Sequence, residues 1–86
     1  MSEEKIIYVG MKSAVKYAAA AAAEFENGAN EVFIKARGRA ISRAVDAAEI
    51  CVNRFVEGIE VKEVTISTEE IENKNISSIQ ILLSKV

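Results

Sequence analysis

The stretch Val32-Phe33-Ile34-Lys35-Ala36-Arg37-Gly38-Arg39-Ala40-Ile41 decides how this 86-residue chain folds. Its first six residues alternate between the two faces of a predicted strand, and one face holds Val32, Ile34 and Ala36. Gly38 then provides a turn. From Ala40 to Phe55 apolar residues recur at helical spacing, namely Ile41, Ala44, Val45, Ala48, Cys51, Val52 and Phe55. The stretch therefore predicts a strand that turns directly into an amphipathic helix.

The same order of strand and helix is predicted once before this stretch. Lys5 to Val9 is short and rich in β-branched and aromatic residues, which is typical of a strand. Ser13 is the predicted N-cap of a helix from Ala14 to Phe25, and the six-alanine run inside that helix favours close packing on a sheet. Asn27-Gly28 is a helix-ending signal.

Two further strands are predicted after Gly58. Ile59 to Ser67 is strand-like, and its apolar phase slips at Lys62-Glu63, which indicates a β-bulge. Thr68 to Asn75 is polar and charged and is predicted to be a hairpin tip. The last predicted strand runs from residue 76 to 86, with one face formed by Ile79, Ile81 and Leu83. The order β-α-β-α-β-β predicts an α/β fold of the two-layer (α+β) kind, a mixed four-stranded sheet with two helices on one face, in one domain over residues 1–86.

Composition limits the chemistry that this chain can perform. It has no His, Pro or Trp and a single Cys, which excludes His-based catalysis, His/Cys zinc sites and an intrachain disulfide. Phosphate-binding loops, dinucleotide fingerprints and nucleophile elbows are also missing from the sequence. Asp46 and Glu49 could share a helix face as a catalytic pair, but pairing with Arg43 or Asn53 on the helix surface is the favoured interpretation. We therefore predict no catalytic residue, no metal, no cofactor and no enzymatic activity.

Three features of the sequence, each weak by itself, indicate the cellular compartment of the protein. The lone Cys51 fits a reducing interior and is predicted to pack in the core. The residues before Ile6 are mostly charged, which argues against a signal peptide. The alanine run is far shorter than the roughly 20 apolar residues that a membrane helix needs. We expect a cytoplasmic protein that does not interact with a membrane.

The positive charges are concentrated in two segments without acidic residues, although the net charge is −2. Residues 5–23 contain Lys5, Lys12 and Lys16, and residues 32–45 contain Lys35, Arg37, Arg39 and Arg43. If the first two strands are parallel, both strand-to-helix turns lie at one edge of the sheet. Lys12, Arg37 and Arg39 would then form one basic patch, where Gly38 lets the backbone approach a phosphate. The alternative is that these are ordinary solvated charges.

The central segment, residues 33–46 (FIKARGRAISRAVD), strongly resembles the signature of the archaeal Alba chromatin proteins. The resemblance continues through Glu49-Ile50, Asn53-Arg54-Phe55, Val9-Gly10-Met11-Lys12 and residues 59–64 (IEVKEV). It implies a homodimer that binds double-stranded DNA and is associated with the chromosome, with RNA as an alternative ligand. It also implies that two long β-hairpins reach out as arms along the DNA.

The resemblance also suggests which residues contact nucleic acid. Those that match family contacts are Lys12, Lys35, Arg37 and Arg39, and the predicted set is completed by Lys16, Gly38 and Arg43. A dimer–dimer contact on DNA is implied for Asn53, Arg54 and Phe55. From the sequence alone, Phe55 fits either the core or such a contact.

Two departures from the family pattern affect the predicted function. Met11 occupies the position of a family lysine that is regulated by acetylation, so that control is not expected here. The predicted hairpin tip carries three Glu and one Lys, which would repel phosphates. These features predict binding that is weaker or more selective than that of bulk coating proteins. They also keep open a dimeric protein-interaction module with little affinity for nucleic acid.

Overall fold

The structure, a computed structural model, describes residues 4–86. Its elements are β1 (Ile6–Tyr8), α1 (Ala14–Glu26), β2 (Glu31–Arg37), α2 (Ile41–Ile50), β3 (Ile59–Ile71) and β4 (Lys74–Lys85). A 3₁₀ turn, Gly38–Ala40, leads into α2, and a π-helical turn, Cys51–Phe55, follows it. The predicted order β-α-β-α-β-β is confirmed, whereas the helix predicted over residues 40–55 is divided among three helical types.

The four strands form one mixed sheet in the order β1-β2-β4-β3. β1 and β2 are parallel, because α1 carries the chain back across the sheet between them. β4 is antiparallel to both of its neighbours. A row of paired residues therefore crosses three strands, from Ile7 through Ile34 to Ile81.

The core lies between one face of this sheet and the two helices. That face buries Val32, Ile34 and Ala36 of β2 together with Ile79, Ile81 and Leu83 of β4, as the alternating pattern predicts. The helices contribute mostly small buried side chains, which are Ala18, Ala21, Ala22, Phe25, Ala44, Ala47, Ala48 and Cys51. Alanines let the helix axes approach each other and the sheet closely. Because both helices pack against the same face of the sheet, the predicted two-layer fold is confirmed.

The apolar stripe of α2 is wider than the surface that buries it. Its buried residues are Ala44, Ala47, Ala48 and Cys51. Val45 and Phe55, which were predicted on the same apolar face, are exposed instead, Phe55 by 41%. The sheet and α1 cover only one side of the stripe, so its other side faces outward in a single chain.

The hairpin between the last two strands is confirmed, but the tip predicted over residues 68–75 is too long. β3 continues to Ile71 and β4 resumes at Lys74, so the turn contains only Glu72 and Asn73. Both turn residues have positive φ, 49° and 64°, as a tight two-residue hairpin turn requires. The β-bulge is confirmed, because Val61 pairs with Leu83 while Glu63 pairs with Leu82, which leaves Lys62 as the extra residue.

Burial of Cys51 predicts that stability depends on pH in alkaline solution. Loss of hydration raises the pKa of the buried thiol from 9.0 to about 11. Between these values the unfolded chain releases the thiol proton while the folded chain keeps it, so the free energy of unfolding falls as pH rises, by about 1–2 kcal/mol in total. Urea unfolding at about pH 8 and about pH 10.5 measures this loss. Cys51→Ala should lower stability at about pH 8 and reduce the difference between the two pH values, and an unchanged difference would contradict the assignment.

Candidate functional site

The parallel pairing of β1 and β2 brings two strand-to-helix connections to one edge of the sheet. The backbone N–H of Val9 donates to the carbonyl of Lys35 at 2.9 Å just before the two strands separate. Residues 10–13 then lead from β1 into α1, and Gly38–Ala40 leads from β2 into α2. Lys12 and Arg39 are therefore on neighbouring connections and both side chains are exposed. We call residues 10–13 and 37–40 together the basic edge.

Tyr17 holds the first of these connections in place. Its hydroxyl oxygen accepts hydrogen bonds from the backbone N–H groups of Gly10, at 2.9 Å, and Lys12, at 3.1 Å. The same contacts lower the pKa of the Tyr17 hydroxyl, mainly through the hydrogen bond from Lys12, because N–H donors stabilise the phenolate. A Cβ added at Gly10 would lie 3.3 Å from this oxygen, so a larger residue there would push the hydroxyl away.

Arg43 holds the same connection from the side of α2. Its guanidinium donates a hydrogen bond to the carbonyl oxygen of Gly10. Arg43 was predicted as a direct contact to nucleic acid, and the structure gives at least one of its N–H groups a partner within the chain. Tyr17 was missed by sequence reasoning, because an aromatic residue in the first turns of a helix does not indicate which loop its hydroxyl reaches.

We expect Tyr17→Phe to loosen this connection without unfolding the protein. Two N–H groups lose their acceptor, but they are near solvent, so the cost should be about 1 kcal/mol. Amide hydrogen exchange at Gly10 and Lys12 should accelerate by roughly 5- to 10-fold, since local opening becomes easier by about that energy. Tyr8→Phe removes a hydroxyl elsewhere and is the matched control. Equal exchange in the two variants would contradict a positioning role for Tyr17.

Gly38 has the backbone conformation that the second connection needs. Its φ is +58°, in the left-handed region that residues with a Cβ disfavour. Arg37, the residue before it, has a guanidinium nitrogen 3.9 Å from a carboxylate oxygen of Glu69 on β3, and both side chains are largely exposed. A pair at this separation in solvent contributes little to stability. Glu69 nevertheless places a negative charge where a phosphate would approach Arg37.

The other two predicted cations are close to this edge but on different surfaces. Lys16 is exposed in the first turn of α1, where its backbone N–H donates to the Ser13 hydroxyl at 3.4 Å and confirms the predicted N-cap. Lys35 is half-buried on the face of the sheet opposite the helices, between its paired residues Tyr8 and Gln80. The predicted contact residues therefore lie not only at the edge but also on α1 and on the open sheet face.

The second predicted site, Asn53, Arg54 and Phe55, is in the π-helical turn after α2, far along the chain from Gly38. The Asn53 amide donates to the Glu49 carboxylate at 3.0 Å, which is one of the two surface pairings expected for Glu49. All three side chains are exposed. The Phe55 side chain is thus not part of the core.

In the part of the chain that the structure describes, no helix is long and apolar enough to cross a membrane.

Comparisons with known proteins agree with this architecture. The sequence model of the Alba family matches residues 5–68. A protein from Methanocella arvoryzae named "DNA/RNA-binding protein Alba" is 49% identical over 99% of this chain and 94% of its own length. "DNA/RNA-binding protein Alba 1" from Archaeoglobus fulgidus is 49% identical over 95% of this chain and 97% of its own length. The solved structure of Alba from Thermoplasma volcanium superposes with a TM-score of 0.87 at 42% identity, and the match covers 94% of this chain and all of that one.

Proposed function

This chain belongs to the Alba family, and we propose that it is a homodimeric nucleic-acid-binding protein with double-stranded DNA as its leading ligand and RNA as the second. The names of its relatives, which describe DNA/RNA-binding proteins and not enzymes, support this proposal. The observation that carries it is the basic edge, where two connections without acidic residues meet. A DNA-binding role would associate the protein with the chromosome.

Phosphate contacts at the basic edge account for affinity in this proposal. Lys12 on one connection and Arg37 and Arg39 on the other are exposed cations that can approach successive phosphates of one strand. Each phosphate that is neutralised releases condensed counterions, so affinity depends steeply on salt and little on base sequence. Tyr17 and Arg43 act as positioning residues, because they fix the connection that carries Lys12.

Dimerisation is supported by apolar residues that the helices leave uncovered. Val61, Val64 and Ile66 lie on the helix side of the edge strand β3, in register with buried residues of β4, yet all three are exposed. Val45 exposes the uncovered side of the α2 stripe. Exposed apolar patches rimmed by polar residues mark interaction sites. We propose that a second copy covers the surface formed by α2, β3 and β4, and that Phe55, with Asn53 and Arg54, adds a dimer–dimer contact on DNA.

The acidic hairpin makes binding weaker in this proposal. Glu69 competes with phosphate for Arg37, and Glu70 and Glu72 add negative charge toward the turn. Glu69→Gln should therefore raise affinity for duplex DNA by roughly 2- to 5-fold at about 50 mM salt and less at higher salt, as for an exposed ion pair. Glu60→Gln, at the other end of β3, is the matched control for removing one negative charge. An equal gain in both variants would indicate net charge and not competition at Arg37.

A titration of the wild-type protein tests the proposed function. Fluorescence anisotropy with duplex DNA and double-stranded RNA at three salt concentrations gives the affinity and its salt dependence. If a dimer neutralises roughly 4–8 phosphates, the slope of log K against log salt should be about −4 to −7. The ranking of the two ligands identifies the preferred polymer. Absence of binding to either at about 50 mM salt would refute the proposal.

The acidic hairpin also favours a second candidate, a dimeric protein-interaction module with little affinity for nucleic acid. Such a module would remain a stable dimer through the same apolar surface while failing the titration. The two candidates thus differ in one measured quantity, affinity at low salt, and agree in oligomeric state.

A further inference from the structure

The sheet face opposite the helices carries polar and aromatic side chains in register across all four strands. Strand pairing aligns Tyr8 with Lys35, Lys35 with Gln80, and Gln80 with Thr65. A second row, two residues further along each strand, consists of Arg37, Ser78 and Ser67. Directly paired residues project from the same face of a sheet, and their neighbours Ala36, Ile79 and Ile81 are buried beneath the helices on the other face. The two rows therefore form one continuous surface.

These rows line an open groove of about 590 Å³. Tyr8 is 70% exposed at one side of it, although a tyrosine in a sheet usually packs against neighbours. Around it lie hydroxyl, amide and cationic groups, from Thr65, Ser67, Ser78, Gln80, Lys35 and Arg37. The groove thus combines one aromatic face, several groups that can either donate or accept a hydrogen bond, and two cations.

We propose that this groove binds a single-stranded segment of nucleic acid, with one base stacked on Tyr8 and the adjacent phosphates held by Lys35 and Arg37. Bases within a duplex hide their faces, whereas unpaired bases stack on exposed aromatic rings. The hydroxyl and amide groups of Thr65, Ser78 and Gln80 can bond base edges or a ribose 2′-hydroxyl. The proposal rests on the proposed function and extends it from the basic edge to a second surface and a second form of ligand.

Charge and position favour this ligand over a peptide strand. The groove carries two cations and one carboxylate, Glu69, and this carboxylate already opposes Arg37. Arg37 belongs to both the groove and the basic edge, so a strand that leaves a duplex at the edge could continue onto the sheet face. The proposed dimer uses the helix side of β3 and leaves this face free. A peptide strand would instead seek an unpaired sheet edge for its backbone hydrogen bonds.

Tyrosine fluorescence offers a direct test, because Tyr8 and Tyr17 are the only tyrosines and the chain has no tryptophan. Oligo-dT and oligo-rU of about 10 nucleotides are the probes. Binding should quench part of the tyrosine emission in the wild-type protein, and the quenching should be lost in Tyr8→Phe, where only Tyr17 emits. Quenching of equal extent in both proteins would overturn stacking on Tyr8.

Affinity provides the second measurement. Tyr8→Val should weaken oligonucleotide binding by roughly 5- to 30-fold, as for loss of one base–aromatic stack, while Tyr8→Phe stays within about 2-fold of wild type. Duplex affinity should change by less than about 2-fold in both variants. The proposal fails if Tyr8→Val binds oligonucleotides as wild type does, or if duplex and single-strand affinities fall together.

The two probes separate the sources of a single strand. Tighter binding of oligo-rU would assign RNA and a contact to the 2′-hydroxyl, and tighter binding of oligo-dT would assign DNA. Failure of the proposed function would be detected separately, because the wild-type protein would then not bind duplex DNA or RNA at low salt. Since Tyr8 is largely exposed, both variants should fold, and thermal melting checks this.

Discussion

Replacing Arg37 and Arg39 together by alanine is expected to weaken duplex DNA binding by at least about 10-fold at roughly 100 mM salt. Both side chains are exposed, Arg37 at the end of β2 and Arg39 on the connection after it, and the left-handed turn at Gly38 lies between them. A charge-assisted hydrogen bond to phosphate is worth about 1.5–3 kcal/mol, but Arg37 contributes less because Glu69 shields it. Anisotropy titrations at three salt concentrations should also show a slope flatter by about one for each phosphate contact that is lost.

A matched pair of charge removals distinguishes a local contact from net charge. Lys62 and Lys85 lie toward the opposite ends of the strands from the basic edge, where the Lys62 ammonium is 3.5 Å from the Glu31 carboxylate. Lys62→Ala/Lys85→Ala lowers the net charge by the same two units but removes no group from the basic edge. Its duplex affinity should stay within about 2-fold of wild type, because distant exposed charges are screened. Equal losses in the two double variants, or an unchanged slope in Arg37→Ala/Arg39→Ala, would remove this edge from the contact surface.

The sequence predicts the elements of the fold where burial imposes a period on them. Val32, Ile34 and Ala36 alternate because β2 is covered by helices on one face only, and their burial is confirmed. The sequence overestimates the length of the turn between β3 and β4, since residues 68–70 are exposed and no apolar alternation marks residues 68–71 as strand. Backbone hydrogen bonds between the two strands hold this arm together, and such bonds leave no residue pattern in the sequence.

The candidate site shows a similar division. The placement of Lys12 on the connection next to that of Gly38 and Arg39 follows from strand order, because parallel strands bring their carboxyl ends to one edge. The contacts from Tyr17 and Arg43 to Gly10 could not be predicted, because they join residues 7 and 33 positions apart through the packing of two helices. The exposure of Phe55 could not be predicted either, because the spacing of apolar residues along a helix does not show how much of the helix its neighbours cover.

Replacing Val64 and Ile66 together by glutamate is expected to convert the proposed dimer into monomers. Both residues project from the helix side of β3, exposed by 53% and 77% in a single chain, so the fold of one chain should tolerate the change. In the proposed dimer the same carboxylates would be buried without partners, at a cost of several kcal/mol for each charge. Sedimentation analysis at about 10 µM should show a monomer, since a loss of this size raises a dimer dissociation constant by more than about 100-fold.

Duplex binding should fall together with the dimer, because two basic edges held in one particle bind with a high effective concentration that separate chains lack. Ala20→Glu/Ala23→Glu is the matched control: both residues are exposed on α1, outside the proposed interface and beyond the turn that follows the basic edge. This variant should remain a dimer and keep its affinity within about 3-fold, since two added carboxylates on this exposed helix surface act only through screened charge. A Val64→Glu/Ile66→Glu protein that is still dimeric would exclude the β3 surface as the interface. A monomer that binds duplex DNA as tightly as wild type would show that one basic edge is sufficient.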